Sequence, residues 1–274
     1  MTELLAPGHP GHFELARRTR RWGWAQYLTY RMTAERPFLL TFALTALGNP
    51  VLYLGAMGLG LGALVGQPVG GVDYLVFVAP GLLVSTVVTM AANWGTWPIM
   101  SGFKWEKFYF AAAASPLTPG QVAAGEAAAL AVRSGAQALA FWALAVPFAA
   151  WASGWSWVAV VVAVLAALAS FTPLMAWSAT LTDEGLQFNL LNRFVVMPMF
   201  LFAGTFFPLE SMPVYLRWIG WISPIWHGTQ LARIASYGMA NPPLLTAVHV
   251  AFLVVLAVGG LLVARRTYTA RLVS

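Results

Sequence analysis

The sequence contains no cysteine. Disulfides, thiolate nucleophiles and Cys-ligated metals are therefore excluded. Charge is scarce as well. Asp, Glu, Lys and Arg make up 9% of the 274 residues, where a soluble domain carries about 25%. Whole stretches have none: 37–72, 74–103, 134–182 and 234–264. A water-facing surface cannot be built from so few charges, so a soluble globular domain is ruled out. Lysine occurs only as Lys104, after Phe103, and Lys107, after Glu106. A Walker-type phosphate loop needs Gly-Lys-Ser or Gly-Lys-Thr, so this chain has no nucleotide-binding loop of that kind. The four histidines, His9, His12, His227 and His249, are scattered and form no catalytic or metal-ligand motif. Residues 1–36 lack the apolar core of a signal peptide. The first span is expected to act as an uncleaved anchor.

What is abundant is apolar: 59% of the residues are hydrophobic. A helix needs roughly 20 apolar residues to cross a hydrocarbon core of about 30 Å. Each charge-free gap therefore holds a span, and the gap at 134–182 holds two. The runs are continuous rather than alternating, which excludes a transmembrane barrel. The expected fold is all-α, a polytopic membrane protein with a single transmembrane domain over 1–274. Six spans are read at about 38–62, 74–98, 121–149, 156–180, 188–208 and 244–264. Residues 1–20 read as a flexible tail.

Orientation follows from the basic residues. With the N-terminus cytoplasmic, the inner face carries Arg17, Arg18, Arg20, Arg21, Arg31, Arg36, Lys104, Lys107, Arg193, Arg265, Arg266 and Arg271. The outer face carries only Arg217 and Arg233. The positive-inside rule then places both termini in the cytoplasm and the protein in the cytoplasmic membrane. The net charge of +6 flanks spans, so a nucleic-acid partner is not expected.

Four segments outside the spans carry further information. Residues 21–36, basic and rich in Trp and Tyr, read as an interfacial helix stopped by Pro37. The loop from Ser101 to Pro119 favours a short stiff helix. It either presents Lys104, Trp105, Glu106, Lys107, Phe108 and Tyr109 to a soluble partner or lies flat on the membrane. Residues 209–243 are apolar but interrupted by Pro213, Pro224 and Gly238. They read as two short helices, 211–222 and 225–237, capping a cavity at the outer face. Residues 182–189, with Asp183 and Glu184, read as a solvated turn. Asp73 sits at the outer end of the second span, as an interface residue. Within the spans, Glu126 and Arg133 lie seven residues apart on one helix, rising about 10 Å. They are too far apart to pair directly. Arg133 is either satisfied inside the protein or part of a translocation path. His227 and His249 could face each other across the outer end.

At Phe202-Ala203-Gly204-Thr205-Phe206-Phe207-Pro208-Leu209-Glu210-Ser211-Met212-Pro213 the chain resembles type-2 ABC exporter permeases, a family that includes daunorubicin-resistance, nodulation and polysaccharide-export permeases. Pro224-Ile225-Trp226-His227, with Arg233 six positions later, resembles the Pro-x-x-His and Arg of that family. Ser115-Pro116-Leu117-Thr118 and Gly125-Glu126 resemble its Thr-Pro-Leu-Ser and Gly-Glu. Met212 stands where Leu is commoner, and Ser115 where Thr is. The resemblance covers nearly the whole chain. It implies a dimer of permeases, or a permease with a paralogue, each docked to a cytoplasmic ATPase. The segment 103–115 would be the coupling helix. Glu210, Pro224, His227 and Arg233 would belong to an outer gate, and spans two and five would line the path. ATP and Mg²⁺ would bind the partner, leaving this chain without a cofactor or enzymatic activity of its own. The 13 Trp and 17 Phe suit a hydrophobic or amphipathic cargo such as a drug, a lipid or a lipid-linked glycan. The competing readings are a secondary transporter and an integral membrane enzyme, neither with an ATPase partner.

Overall fold

The structure, a computed structural model, describes residues 10–61, 67–182 and 186–273. Every regular element among them is helical. Helix α1 spans Pro10–Ala34, α2 Leu39–Tyr53, α3 Tyr74–Trp94, α4 Trp97–Lys104 and α5 Phe108–Ala113. Then follow α6 Pro119–Ala145, α7 Val158–Ser178, α8 Gln187–Leu191, α9 Met197–Phe202, α10 Val214–Trp221, α11 Pro224–Tyr237 and α12 Pro243–Val273. Strand-like pairing among the described residues is confined to one bridge between Val69 and Val72.

Four helical stretches are long and apolar enough to cross a membrane: Tyr74–Lys104, Pro119–Phe148, Val158–Ser178 and Pro243–Val273. They occupy the second, third, fourth and last of the six expected spans. Of the other two, the first is helical over 39–61, within its expected bounds, and the fifth differs from expectation. The first continues from α2 into a π-helical stretch, Leu54–Leu61, and its end at residue 62 lies outside the described residues. The expected fifth span, 188–208, is interrupted. It comprises α8, π-helical Asn192–Val196 and α9, and it leaves the helix after Phe202. Pro198 is the physical reason for the interruption: it has no N–H for the turn behind it, and the widened turn just before it absorbs the mismatch. Gly204 then takes a φ of 77°, which an L side chain resists. A helix over 187–202 rises only about 24 Å, short of the roughly 30 Å core.

Other boundaries also move. Helix α1 begins inside the stretch expected as a flexible tail, and α12 runs past 264 to Val273. His9 and the acidic residues Asp183 and Glu184 lie outside the described residues.

Helix α7 is the packing hub, set against α3, α6, α11 and α12. Its buried positions are mostly small, among them Ala159, Ala163, Ala166, Ala167 and Ser170. Small side chains let helix backbones approach where burial against lipid supplies no hydrophobic driving force. Helix α12 buries one stripe only, His249, Leu253, Gly260, Ala264 and Tyr268, and turns Val254, Val255, Val258, Leu262 and Val263 outward. That single stripe at helical spacing is what a helix at the lipid edge of a bundle presents.

Candidate functional site

Two polar constructions sit at opposite ends of this apolar bundle. The first joins α1 to α6. Helix α6 starts with a capping box: Thr118 Oγ1 accepts from the Gln121 N–H at 3.3 Å, and Gln121 Oε1 accepts from the Thr118 N–H at 2.9 Å. One turn on from Gln121, Gly125 leaves room for α1. A Cβ there would lie 2.6 Å from Tyr27 Cδ1 and 2.8 Å from the Trp24 carbonyl oxygen. The close approach brings Glu126, 1% exposed, against the polar face of α1. Tyr27 donates its hydroxyl to Glu126 Oε2 at 2.8 Å, and Arg31 Nη2 donates to Oε1 at 3.1 Å. Arg31 also pairs with Glu35 one turn on, at 3.1 Å. Glu35 in turn accepts from Arg133 Nε at 2.7 Å and from Arg133 Nη2. The order is therefore Glu126, Arg31, Glu35, Arg133, two charges of each sign. Glu126 and Arg133 cannot reach each other along α6, and the end of α1 spans the gap with Arg31 and, one residue past the helix, Glu35. Burial and the Glu126 carboxylate both push the Tyr27 hydroxyl well above the usual tyrosine range, so it stays a donor.

The same construction grips the segment expected as a coupling helix. That segment is not one stiff helix. Helix α4 ends at Lys104, and Lys107 takes a left-handed φ of 54° before α5 starts. The result is a corner. Trp105 lies at its tip, 47% exposed, with Phe110 41% exposed. Trp105 stacks on Trp97 with centroids 6.1 Å apart, and Glu106 accepts from Ser101 Oγ at 2.7 Å. Lys104 lies over the Trp105 ring, 5.9 Å from its centroid. The base of the corner is buried: Phe108 lies under the Arg31 guanidinium at 4.7 Å. Tyr109 is wholly buried between Phe103 and Tyr268, with centroids at 4.5 and 5.1 Å. Of the six residues expected to face a partner, Tyr109 faces the bundle instead, and Phe108 is partly covered. Arg271 reaches the same cluster from α12, over Phe103 at 4.6 Å.

The second construction is the segment after α9. Ser223 caps α11 through its Oγ, which accepts from the Ile225 N–H at 3.1 Å, and Pro224 occupies the first turn, where its missing N–H costs nothing. Arg233, two turns further on, is 2% exposed. Its Nη2 donates to the carbonyls of Gly204 at 2.8 Å and Thr205 at 3.3 Å, and Nε donates to the Phe77 carbonyl at 3.3 Å. Its guanidinium covers the Phe77 ring at 3.7 Å. Burial pushes the Arg233 pKa down to about 10, still a cation at neutral pH. Arg233 thus satisfies carbonyls that the broken fifth segment leaves without helical partners. His227, on the same helix, meets His249 of α12 at 2.8 Å between Nδ1 atoms, and its Nε2 lies 3.0 Å from the Trp221 carbonyl. Glu210 is exposed; its backbone carbonyl, not its carboxylate, holds Arg217 at 2.6 Å.

Glu35, Arg31 and Tyr27 escaped the sequence reading. A signal existed: an Arg in the last turn of a helix and a Glu four residues later, in a stretch otherwise poor in acid. No group of three or more His, Asp or Glu among the described residues could hold a metal.

The ABC-2 type transporter family model matches residues 24–237. Among curated relatives, the chain is 28% identical to Nodulation protein J of Rhizobium leguminosarum bv. viciae over 77% of this chain and 79% of the relative. It is 29% identical to Nodulation protein J of Neorhizobium galegae, over 72% and 74%. Against that of Sinorhizobium fredii (strain NBRC 101917 / NGR234) it is 26% identical, over 86% and 89%. No solved structure gives a significant match.

Proposed function

The chain belongs to the ABC-2 type transporter family and is a multi-pass membrane permease; from that premise we propose that it is the membrane subunit of an ATP-driven exporter. A separate cytoplasmic ATPase supplies the energy and carries the ATP and Mg²⁺. Two permeases form the path, and each has six spans, with the stretches at 38–62 and 188–208 completing the four long ones. Both termini face the cytoplasm, across the cytoplasmic membrane. The cargo is hydrophobic or amphipathic.

The observation that carries this reading is the α4–α5 corner. It combines an exposed aromatic tip, Trp105, with a base fixed by Tyr109 and by Arg31 over Phe108. It is also joined at both ends to long helices: α4 follows α3 after Gly95 and Thr96, and α5 leads through Thr118 into α6. A push on the tip is therefore passed to two spans at once, and α1 moves with them through Glu126 and Arg133. Such a lever shifts a two-state equilibrium between inward- and outward-open permeases. Secondary transport is disfavoured because Glu126 and Arg133 are already paired, with Arg31 and Glu35, leaving neither as a free relay.

Trp105→Asp with Phe110→Asp should weaken assembly with the cognate ATPase about tenfold or more, because apolar anchors dominate such docking. Co-purification and titration in nanodiscs measure this. The isolated chain should hydrolyse no ATP. ATP turnover by the purified chain alone, or undiminished assembly by the double variant, would sink the proposal.

A further inference from the structure

Arg233 keeps one nitrogen in reserve. The carbonyls of Phe77, Gly204 and Thr205 take its Nε and Nη2, and Nη1 has no hydrogen-bond partner among the described residues. The side chain is 2% exposed, so its charge is buried against neutral carbonyls with no carboxylate bonded to it. A buried cation in that setting favours an anionic partner. Arg233 also lines a cavity of about 300 Å³, at the low end of the roughly 300–1,000 Å³ of small-ligand sites. Glu210 lines the same cavity and is exposed, so it stands at the mouth. Its carboxylate makes no ion pair among the described residues. It is near enough to favour the charge on Arg233 without bonding to it.

We propose that this cavity binds a phosphoethanolamine group, a phosphate ester whose ammonium lies two carbons away, carried by a membrane lipid or free. The phosphate meets Arg233 Nη1 at the floor, and the ammonium meets the Glu210 carboxylate at the mouth. A lone anion would have to pass Glu210, which repels it. A lone cation held by Glu210 would leave the arginine unanswered. A zwitterion answers both charges, through charge-assisted hydrogen bonds, the stronger kind. Gln230 and Tyr237, half-buried on the wall, supply uncharged donors for the remaining phosphate oxygens.

The cavity also lies where headgroups lie. It is built at one end of two membrane-spanning helices, with Phe77 in the first turn of α3 and Leu245 and His249 in the first two turns of α12. Beside it the surface is apolar. Leu245, which lines the cavity, is 47% exposed, and Val248 and Val255 continue the same outward stripe of α12. Acyl chains laid along that stripe bring their headgroup to the cavity. In a phospholipid the phosphate is the group nearer the hydrocarbon and the amine lies further out. The buried Arg233 and the exposed Glu210 stand in that order.

The test needs neither cargo nor ATPase, so its failure and that of the exporter reading are distinct. The full chain in detergent is titrated with dioleoyl phosphatidylethanolamine, dioleoyl phosphatidylglycerol or dioleoylglycerol, and retained lipid is counted by native mass spectrometry. One phosphatidylethanolamine per chain should be held about tenfold more tightly than phosphatidylglycerol, the worth of one hydrogen bond to a charged group. Dioleoylglycerol, which lacks the phosphate, should not be retained. Glu210→Gln removes a carboxylate that bonds to nothing in the fold, so the chain should fold normally and lose the preference between the two phospholipids. Soluble phosphoethanolamine separates the two sources. Against a lipid anchored by its chains it should compete only in large excess, whereas displacement at stoichiometric levels would assign the same site to the free zwitterion. Equal retention of the two phospholipids by the wild-type chain would overturn the site. So would a preference that survives Glu210→Gln, or dioleoylglycerol bound as tightly as phosphatidylethanolamine.

Discussion

At the scale of single residues, the chain concentrates its few buried charges where they cancel. Glu126 is the pivot, 1% exposed and bonded to both Tyr27 and Arg31. Glu126→Ala leaves Arg31 beside one carboxylate shared with Arg133, and removing one partner of a buried pair costs about 3–5 kcal/mol. Because Glu35 remains, and is itself 20% exposed, the lower end of that range is expected. Thermal unfolding in nanodiscs measures it, and a Glu126→Ala chain as stable as the wild type would show that α1 is held by packing alone. Gly125→Ala should cost about 1–3 kcal/mol by overpacking, since its Cβ would press on Tyr27 and on the Trp24 carbonyl. Reading the sequence singled out Glu126 and Arg133 and saw that they could not pair along one helix. It did not find their partners, because Arg31 and Glu35 lie about a hundred residues away and nothing local announces the contact. Arg233 was more legible: a cation in a segment broken by prolines must find acceptors, and the carbonyls exposed by Gly204 and Thr205 supply them.

At the scale of elements, hydrophobic run length located the long spans but not the breaks within them. The fifth stretch carries a long apolar run after Arg193, and its interruption depends on Pro198 and on the left-handed Gly204, whose effects on a helix are backbone effects that hydropathy does not register. The corner between α4 and α5 was likewise expected as one short helix, because Phe, Tyr and Ala favour one after Gly102. Lys107 instead adopts a φ of 54°, a conformation that costs a non-glycine residue of order 1 kcal/mol. The corner persists because Tyr109 and Phe108 are held beneath it. Lys107→Gly should therefore be neutral or stabilising by up to about 1 kcal/mol, and Lys107→Val should destabilise by more than that. Unfolding of both variants checks the sign. If the ATPase docks on this corner, Lys107→Val should also weaken assembly while Lys107→Gly leaves it intact. Equal assembly by the two variants would show that the bend is not part of the docking surface.

For the whole molecule, the two polar constructions divide the labour of holding an apolar bundle in one arrangement, one at each end. The end with α1, the α4–α5 corner and the tail of α12 gathers Arg31, Lys104, Lys107, Arg265 and Arg271; the end with α10 and α11 holds Arg217 and Arg233. Helix lengths and contacts are the same whichever way such a bundle is inserted, so orientation rests on the asymmetry of basic residues. The positive end should face the cytoplasm. A chain without cysteine lets single cysteines report this directly. Ser115 and Thr269 are exposed at the basic end, and Gly154 and Ala240 are exposed at the other. None of the four bonds across the bundle, so each substitution should leave the fold in place. In intact cells an impermeant maleimide should modify Gly154→Cys and Ala240→Cys and leave Ser115→Cys and Thr269→Cys untouched until the membrane is opened. The reverse pattern would place the corner outside, away from any cytoplasmic ATPase, and would remove the basis of the exporter proposal. Labelling of Ala240→Cys but not Gly154→Cys would leave the orientation of α12 in place and overturn the hairpin between α6 and α7. The pattern across four positions thus tests the orientation, and with it the number of crossings between 115 and 269.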